Sequence, residues 1–247
     1  MIFKRKKQII TNQFPRLITD NAPFTYVEAY KAFRTNFNFI TSNNTNRKIL
    51  MTSALRDEGK SSLALNLAIS LAQVNNRVLL IDADLRNPSL HRYLQIKNDK
   101  KLGLSNLLSG TAKVGDCLIG TSHGFDLIAG GPVPPNPAEL IASDAMRDLI
   151  NVAAKHYDYI ICDAPPVGII TDAAALSPLC DGVLFVIRQN YANKNQIRDA
   201  IKKLQTVNAK ILGAVMTQCE VTKEKGRRYS YRGYSYRYGS DTQDETM

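Results

Sequence analysis

Cysteine is scarce in this 247-residue chain, and its spacing excludes two chemistries. Cys117, Cys162, Cys180 and Cys219 stand far apart, with no C-x-x-C pair and no histidine-rich neighbourhood, so neither a disulfide framework nor a zinc site is predicted. A reducing cytosol fits that usage. Long apolar runs are also missing, and no segment approaches the length of a transmembrane helix. Lys4, Arg5, Lys6 and Lys7 give the N-terminus positive charge, but the apolar stretch and small-residue cleavage site of a secretory signal do not follow. No internal repeat is present.

The composition, 44% hydrophobic and 22% charged, suits a soluble α/β domain with disordered ends. A net charge of +10 raises the question of nucleic acid or an anionic membrane. The excess sits at the two ends, in Lys4–Lys7 and in Lys223, Lys225, Arg227, Arg228, Arg232 and Arg237, whereas the body between is close to balanced. Solvated tails are the plain reading of both clusters, and no nucleic-acid partner is expected.

Residues 1–24 lack periodicity and read as a flexible basic lead-in. Over Tyr26 to Ile40, apolar residues recur at helical spacing, with Thr25 as the expected N-cap. Strands are predicted at Ile49–Thr52, Val78–Ile81, Asp126–Ala129, Tyr159–Cys162, Val183–Ile187 and Ile211–Met216. Helices are predicted at Ser62–Val74, Ala138–Lys155, Ala173–Leu179 and Asn193–Val207. Continuous apolar strands alternating with helices imply a mostly parallel sheet covered on both faces, and with the phosphate-loop pattern G-x-x-x-x-G-K-[ST] approximated at Ala54–Ser61 the expected fold is the three-layer α/β fold of P-loop NTPases. The domain is placed at residues 25–221, with an N-terminal interface helix over 25–40. Residues 222–247 lose their aliphatic side chains and are expected to be disordered. Five of the chain's 11 tyrosines, Tyr229, Tyr231, Tyr234, Tyr236 and Tyr238, fall there within ten residues.

Ala54 to Ser61 reads ALRDEGKS, the G-x-x-x-x-G-K-[ST] phosphate loop with Ala54 in place of the first glycine. A strand precedes it and a helix follows. Gly59 allows backbone N–H groups to approach phosphate, Lys60 neutralises β and γ oxygens, and Ser61 offers a hydroxyl to Mg²⁺, while the helix N-terminus adds a favourable dipole. Ala54, Asp57, Glu58, Gly59, Lys60, Ser61 and Ser62 are the expected ATP contacts. Two further strands end in carboxylates, Leu79-Leu80-Ile81 before Asp82-Ala83-Asp84-Leu85-Arg86, and Ile160-Ile161-Cys162 before Asp163-Ala164-Pro165-Pro166. Open α/β sheets collect their ligands at that end of the strands. Asp163 is read as the acid that holds Mg²⁺ through water. A single Asp after a strand is often only a helix cap, but two such elements in one chain exceed that explanation.

The run LLIDADLR resembles the Walker A′ element of bacterial tyrosine kinases, the CpsD/CapB family, and IICDAPP resembles their Walker B element. Glu28-Ala29-Tyr30-Lys31-Ala32-Phe33-Arg34 is similar to their N-terminal interface motif, with Lys31 where the motif has its first Arg; that exchange keeps the charge but loses the planar fork. Gly103 to Gly110 and Pro135 to Leu140 also look like family segments, and the terminal tyrosine cluster completes the match. Met216-Thr217-Gln218 departs from the Asn-Lys pair often found near the base.

The resemblance implies an ATP-dependent autokinase that phosphorylates the tyrosine tail of a neighbouring subunit and serves capsular or extracellular polysaccharide synthesis and export. It implies a transmembrane activator, the polysaccharide co-polymerase, a homo-oligomeric ring joined through Glu28, Lys31 and Arg34, and a cognate tyrosine phosphatase. Location would be cytoplasmic, held peripherally at the membrane through that partner. Lys60, Ser61 and Mg²⁺ would neutralise the triphosphate, with Asp163 and Asp84 at the metal and Asp82 as base for the tyrosine hydroxyl. Arg86 would steady phosphate or an acidic neighbour, or serve as a structural ion-pair partner. A tail of about 24 flexible residues spans roughly 25 to 30 Å, enough to reach a neighbour.

Two rival classes share part of this pattern. A partition- or division-site-type ATPase switch has the same sheet and acidic strand ends, but the extra lysine of its phosphate loop is missing here, where the loop opens Ala54-Leu55. A nucleotide-dependent adaptor that regulates a membrane polymerase by binding alone is the other. Arginine interleaved with tyrosine in the tail could also stack on RNA bases.

Overall fold

The computed structural model describes residues 17–19, 21–41, 47–96 and 102–219. In chain order the elements are α1 (Phe24–Thr41), β1 (Arg47–Ser53), α2 (Lys60–Ala72), β2 (Val78–Asp82), α3 (Leu90–Tyr93), α4 (Leu104–Leu108), α5 (Val114–Cys117), β3 (Leu118–Gly120) and β4 (Asp126–Ile128). There follow α6 (Pro137–Ile141), α7 (Asp144–Ala153), β5 (Tyr159–Asp163), α8 (Asp172–Leu176) with a 3₁₀ turn at Ser177–Leu179, β6 (Gly182–Arg188), α9 (Lys194–Thr206) and β7 (Ile211–Thr217).

The strands form one sheet in the order β3-β4-β2-β5-β1-β6-β7. All neighbours run parallel except β3 and β4. Alternation along each strand divides the core into two layers. Leu50, Leu79, Ile81, Ile160, Val183 and Phe185 face the side that α4, α6, α7, α8 and α9 cover. Ile49, Met51, Leu80, Ile161, Leu184 and Val186 face α1 and α2. The three-layer arrangement expected from the sequence is therefore the one observed.

Four local differences have plain causes. Helix α1 starts at Phe24, because the N–H groups of Tyr26 and Val27 both donate to the Pro23 carbonyl; Thr25 lies inside the first turn and is not the cap. The helix expected over Ala138–Lys155 is two helices, since the Ser143 side chain accepts the Met146 N–H and starts α7 afresh. Strand β3 escapes the periodicity reading because it has only three residues, none buried. Within the lead-in, Ile18 is buried against α2, so the packed unit begins before residue 25.

The central strands β1, β2 and β5 end together. In-register pairing sets Asp82 beside Asp163, and Asp163 beside Met51 just before the phosphate loop. Among the described residues no helix is long and apolar enough to cross a membrane.

Candidate active site

The loop from Ala54 to Ser61 joins β1 to α2, whose first residue is Lys60. Two residues of the loop take left-handed backbone angles, Asp57 at φ 58° and Gly59 at φ 85°. Gly59 also sits against Thr217, where an added Cβ would lie 3.4 Å from the hydroxyl. Ala54 is buried, and its carbonyl presses on Gly168 so closely that a Cβ there would approach to 2.1 Å. The loop is thus clamped between the segment after β5 and the end of β7.

Glu58 supplies much of that clamp. Its side chain is fully buried, and the carboxylate accepts from the backbone N–H of Leu55 at 2.6 Å and of Arg188 at 3.4 Å. Its carbonyl accepts from the Thr217 hydroxyl at 2.7 Å, while the guanidinium of Arg188 donates to the Asp57 carbonyl at 3.3 Å and stacks over Tyr191. Glu58 was expected at the nucleotide; its carboxylate instead turns inward as a brace.

A cavity of about 1420 Å³ opens beside the loop, lined by Asp57, Gly59, Lys60, Ser61, Ser62, Asp84 and Arg86 among the expected residues. Asp163 lies just beneath it, 1% exposed and hydrogen-bonded to Ser61. Burial pushes its pKa up to about 6, with the Lys60 ammonium and the Ser61 bond pulling the other way and Asp84 adding to the rise.

Asp82 and Asp84 have separate surroundings. Asp84 lines the cavity, and its Oδ1 accepts the Asn87 N–H at 3.0 Å, closing the turn after β2. Asp82 is fully buried and does not line the cavity. Its Oδ2 accepts the N–H groups of Ser89 and Leu90 at 2.9 and 3.0 Å, which anchors α3. Burial and then the nearby Asp163 raise its pKa to about 8. The arrangement therefore covers the carboxylate expected to act as base. One oxygen of Asp82 and one of Asp163 are buried with no hydrogen-bond partner.

Arg86 forms a two-pronged pair with Asp172, at 2.8 and 3.1 Å, where Asp172 is buried and Arg86 partly exposed. Of the roles open to Arg86, steadying an acidic neighbour is the one its contacts match. Asp172 went unremarked in the sequence because nothing but its place before an alanine run marks it. Sequence reasoning also missed His91, Arg92 and Tyr93, which wall the outer cavity from a helix of four residues, too short for periodicity to reveal.

The three interface residues lie on α1. Lys31 pairs with Glu28 at 2.8 Å on the exposed surface. Arg34 reaches inward and donates to the carbonyl and hydroxyl of Ser70 on α2. Tyr229, Tyr231, Tyr234, Tyr236 and Tyr238, the basic cluster Lys4–Lys7 and the whole of the expected tail, 222–247, lie outside the described residues.

Known proteins resemble this chain in sequence and fold. Residues 57–214 match a family described as an AAA domain. Tyrosine-protein kinase YwqD of Bacillus subtilis is 36% identical over 207 residues, covering 83% of this chain and 86% of YwqD. The chain belongs to the bacterial tyrosine-kinase family. Solved structures from the family agree: the kinase domain of Escherichia coli tyrosine kinase ETK has a TM-score of 0.76 at 34% identity, covering 89% of this chain and 88% of that one. The chimerical protein CapA2B2 has a TM-score of 0.73 at 32% identity, over 79% of this chain and 85% of that one. Membership of the tyrosine-kinase family does not favour the division-site switch among the rival readings.

Proposed function

We propose that this chain holds MgATP on the Ala54–Ser61 loop and transfers the γ-phosphoryl group to Tyr229, Tyr231, Tyr234, Tyr236 and Tyr238 of a neighbouring copy, as a step in capsular or extracellular polysaccharide synthesis and export. The observation that carries the reading is the convergence of Lys60, Ser61 and Asp84 on one cavity, with Asp163 buried against Ser61. Its volume, about 1420 Å³, exceeds the roughly 300–1,000 Å³ usual for a ligand pocket, which leaves room for an acceptor side chain beside the nucleotide.

The donor set fits magnesium. Among the described residues no group of three or more His, Cys, Asp or Glu side chains is arranged to hold a metal by itself. Mg²⁺ takes one or two carboxylates and fills its octahedron with phosphate oxygens and water, so Ser61, Asp84 and Asp163 suffice. The partnerless oxygen of Asp163 gives a water of that shell an acceptor. Bound there, the ion would neutralise charge on the phosphates.

In the transfer, a bond forms between the tyrosine oxygen and phosphorus while the bond from phosphorus to the ADP oxygen breaks. Lys60 offsets the charge on the γ-phosphoryl oxygens, and the left-handed turn at Gly59 lets the backbone approach. The phenolic proton leaves for a carboxylate. Asp84 faces the cavity and accepts it where Ser61 and Asp163 hold the metal without it, while Asp82 serves through its grip on Ser89 and Leu90. Arg86, held by Asp172, keeps that turn in place.

Partners follow from the same reading. A membrane-spanning co-polymerase would activate the chain and hold it at the inner face of the membrane, in keeping with the fused CapA and CapB names in CapA2B2. Copies would assemble through α1, with a tyrosine phosphatase resetting the tail. Incubation with MgATP and the partner's cytoplasmic segment, followed by mass spectrometry, tests the chemistry. Phosphate is expected on the five tyrosines, and Lys60→Met should cut its rate by about 10²-fold or more. Nucleotide hydrolysis with an unmodified tail would refute the kinase reading.

A further inference from the structure

Helix α1 is read above as a surface for neighbouring copies, yet its inner side touches the helix that carries the phosphate loop. Asn66, fully buried on the second turn of α2, stands where the two meet. Its Oδ1 accepts the Ile18 N–H at 2.8 Å, and its Nδ2 donates both to the Tyr26 hydroxyl at 3.1 Å and to the Ser62 carbonyl at 2.9 Å. Tyr30 packs edge-on against Tyr26, ring centroids 5.1 Å apart. Around the Tyr30 hydroxyl the hydrogen-bonding groups are Tyr26, Asn66 and Ser62. Ser62 follows the metal-side Ser61 directly and lines the cavity. Farther along, Arg34 grips the carbonyl of Ser70, so α1 holds α2 at two separate turns.

We propose that Tyr26 and Tyr30 are positioning residues of the nucleotide site, acting through Asn66 and Ser62 to fix the first turn of α2, so that the seating of α1 sets nucleotide affinity. The physical reason is local. The first turn of a helix has N–H groups without intrahelical partners, and these are the groups that meet a phosphate. An error of a few tenths of an ångström in their aim weakens each of those bonds, and the ordinary i to i+4 ladder does not hold them, because the ladder begins after them. The contacts from α1 meet Ser62, the last residue to carry such a group, and Asn66 one turn further on. Buried, multiply bonded Asn66 permits one geometry between the helices, as a fully satisfied polar network does. Any contact that shifts α1 on its outer side must therefore be felt at the loop.

The inference rests on the nucleotide reading above, and the experiment separates the two. MgADP binding to the parent chain is measured first, by calorimetry. The cycle then compares Tyr26→Phe/Tyr30→Phe, which removes two hydroxyls and no packing, with Asn66→Ala, which removes the amide that joins them to the Ser62 carbonyl, and with all three changes together. Either change is expected to weaken MgADP binding about 5- to 20-fold, with the combined variant no worse than the poorer of the two, because both cut one path. The MgATP KM for autophosphorylation should rise in parallel while the rate at saturating MgATP stays within about twofold. Amide exchange should quicken over residues 59–66 in the Tyr26→Phe/Tyr30→Phe chain, a readout that holds even if its melting temperature falls. Unchanged MgADP affinity, additive losses, or a fall in the saturated rate alone would overturn the proposal while leaving the nucleotide reading intact. A parent chain that does not bind MgADP would sink both.

Discussion

Single residues in this site are sorted by which way they turn. Asp84 and Lys60 face the cavity, whereas Asp82 and Glu58, each within two positions of them, turn inward and bond backbone N–H groups, Glu58 through both oxygens and Asp82 through one. Sequence motifs mark all four alike, because a motif records spacing and side-chain type, not the direction of a Cα–Cβ bond at the end of a strand. Charged pairs far from the site follow simpler rules. Asp158, just before β5, accepts from the N–H and guanidinium of Arg77 before β2, and those bonds hold its carboxyl below the ordinary range. A carboxyl whose folded pKa is depressed stabilises the fold above its unfolded pKa, and that contribution vanishes as pH falls through the folded value. Asp158→Asn should lower the melting temperature slightly at pH 7, and the gap from the parent should close as pH drops below the ordinary carboxylate range. The pair is largely exposed, so the effect is small. Thermal melts over a pH series check it; a gap that widens in acid contradicts the assignment.

Elements show how far the sequence reached. The six predicted strands are β1, β2 and β4 to β7 within one or two residues at each end, since short continuous apolar runs bounded by turns carry a strong signal, strongest in the fully buried β2 and β5. Lys60, Ser61 and Asp163 came together as expected because strand order at the carboxyl edge does the assembling. Pieces of three to five residues, β3 and α3 to α5, were not legible, being shorter than two periods of their own pattern. Nor was the role of Gly168, which no phosphate-loop motif contains. Its lack of a side chain lets the turn after β5 pack on the Ala54 carbonyl. Gly168→Ala should push the start of the loop outward and raise the MgATP KM about tenfold, with a stability loss of about 1–3 kcal/mol from the forced contact. Steady-state kinetics alongside denaturant melts decide this, and an unaltered KM would show that the loop does not depend on that contact.

At the scale of the molecule, charge is the variable that the reaction would change. Each phosphate adds about −1.5 to −2 charges, so five would add roughly −8 to −10 to a chain of net +10 and reverse the sign of its tail. Assembly should loosen on phosphorylation, seen as a later elution in size-exclusion chromatography after MgATP treatment; an unchanged profile would remove autophosphorylation as the regulator of assembly.

The sheet order carries a thermodynamic consequence as well. Strand β7 lies at an edge, paired on one side only, and its last residue, Thr217, is bonded to the carbonyl at the heart of the phosphate loop. An edge strand is among the first parts of a sheet to open. Occupancy of the loop and closure of that edge are therefore linked quantities, and linkage is reciprocal. A load that peels β7 from β6 must loosen nucleotide by the same factor by which nucleotide resists the peeling, so the end of β7 is a handle on the affinity of the site.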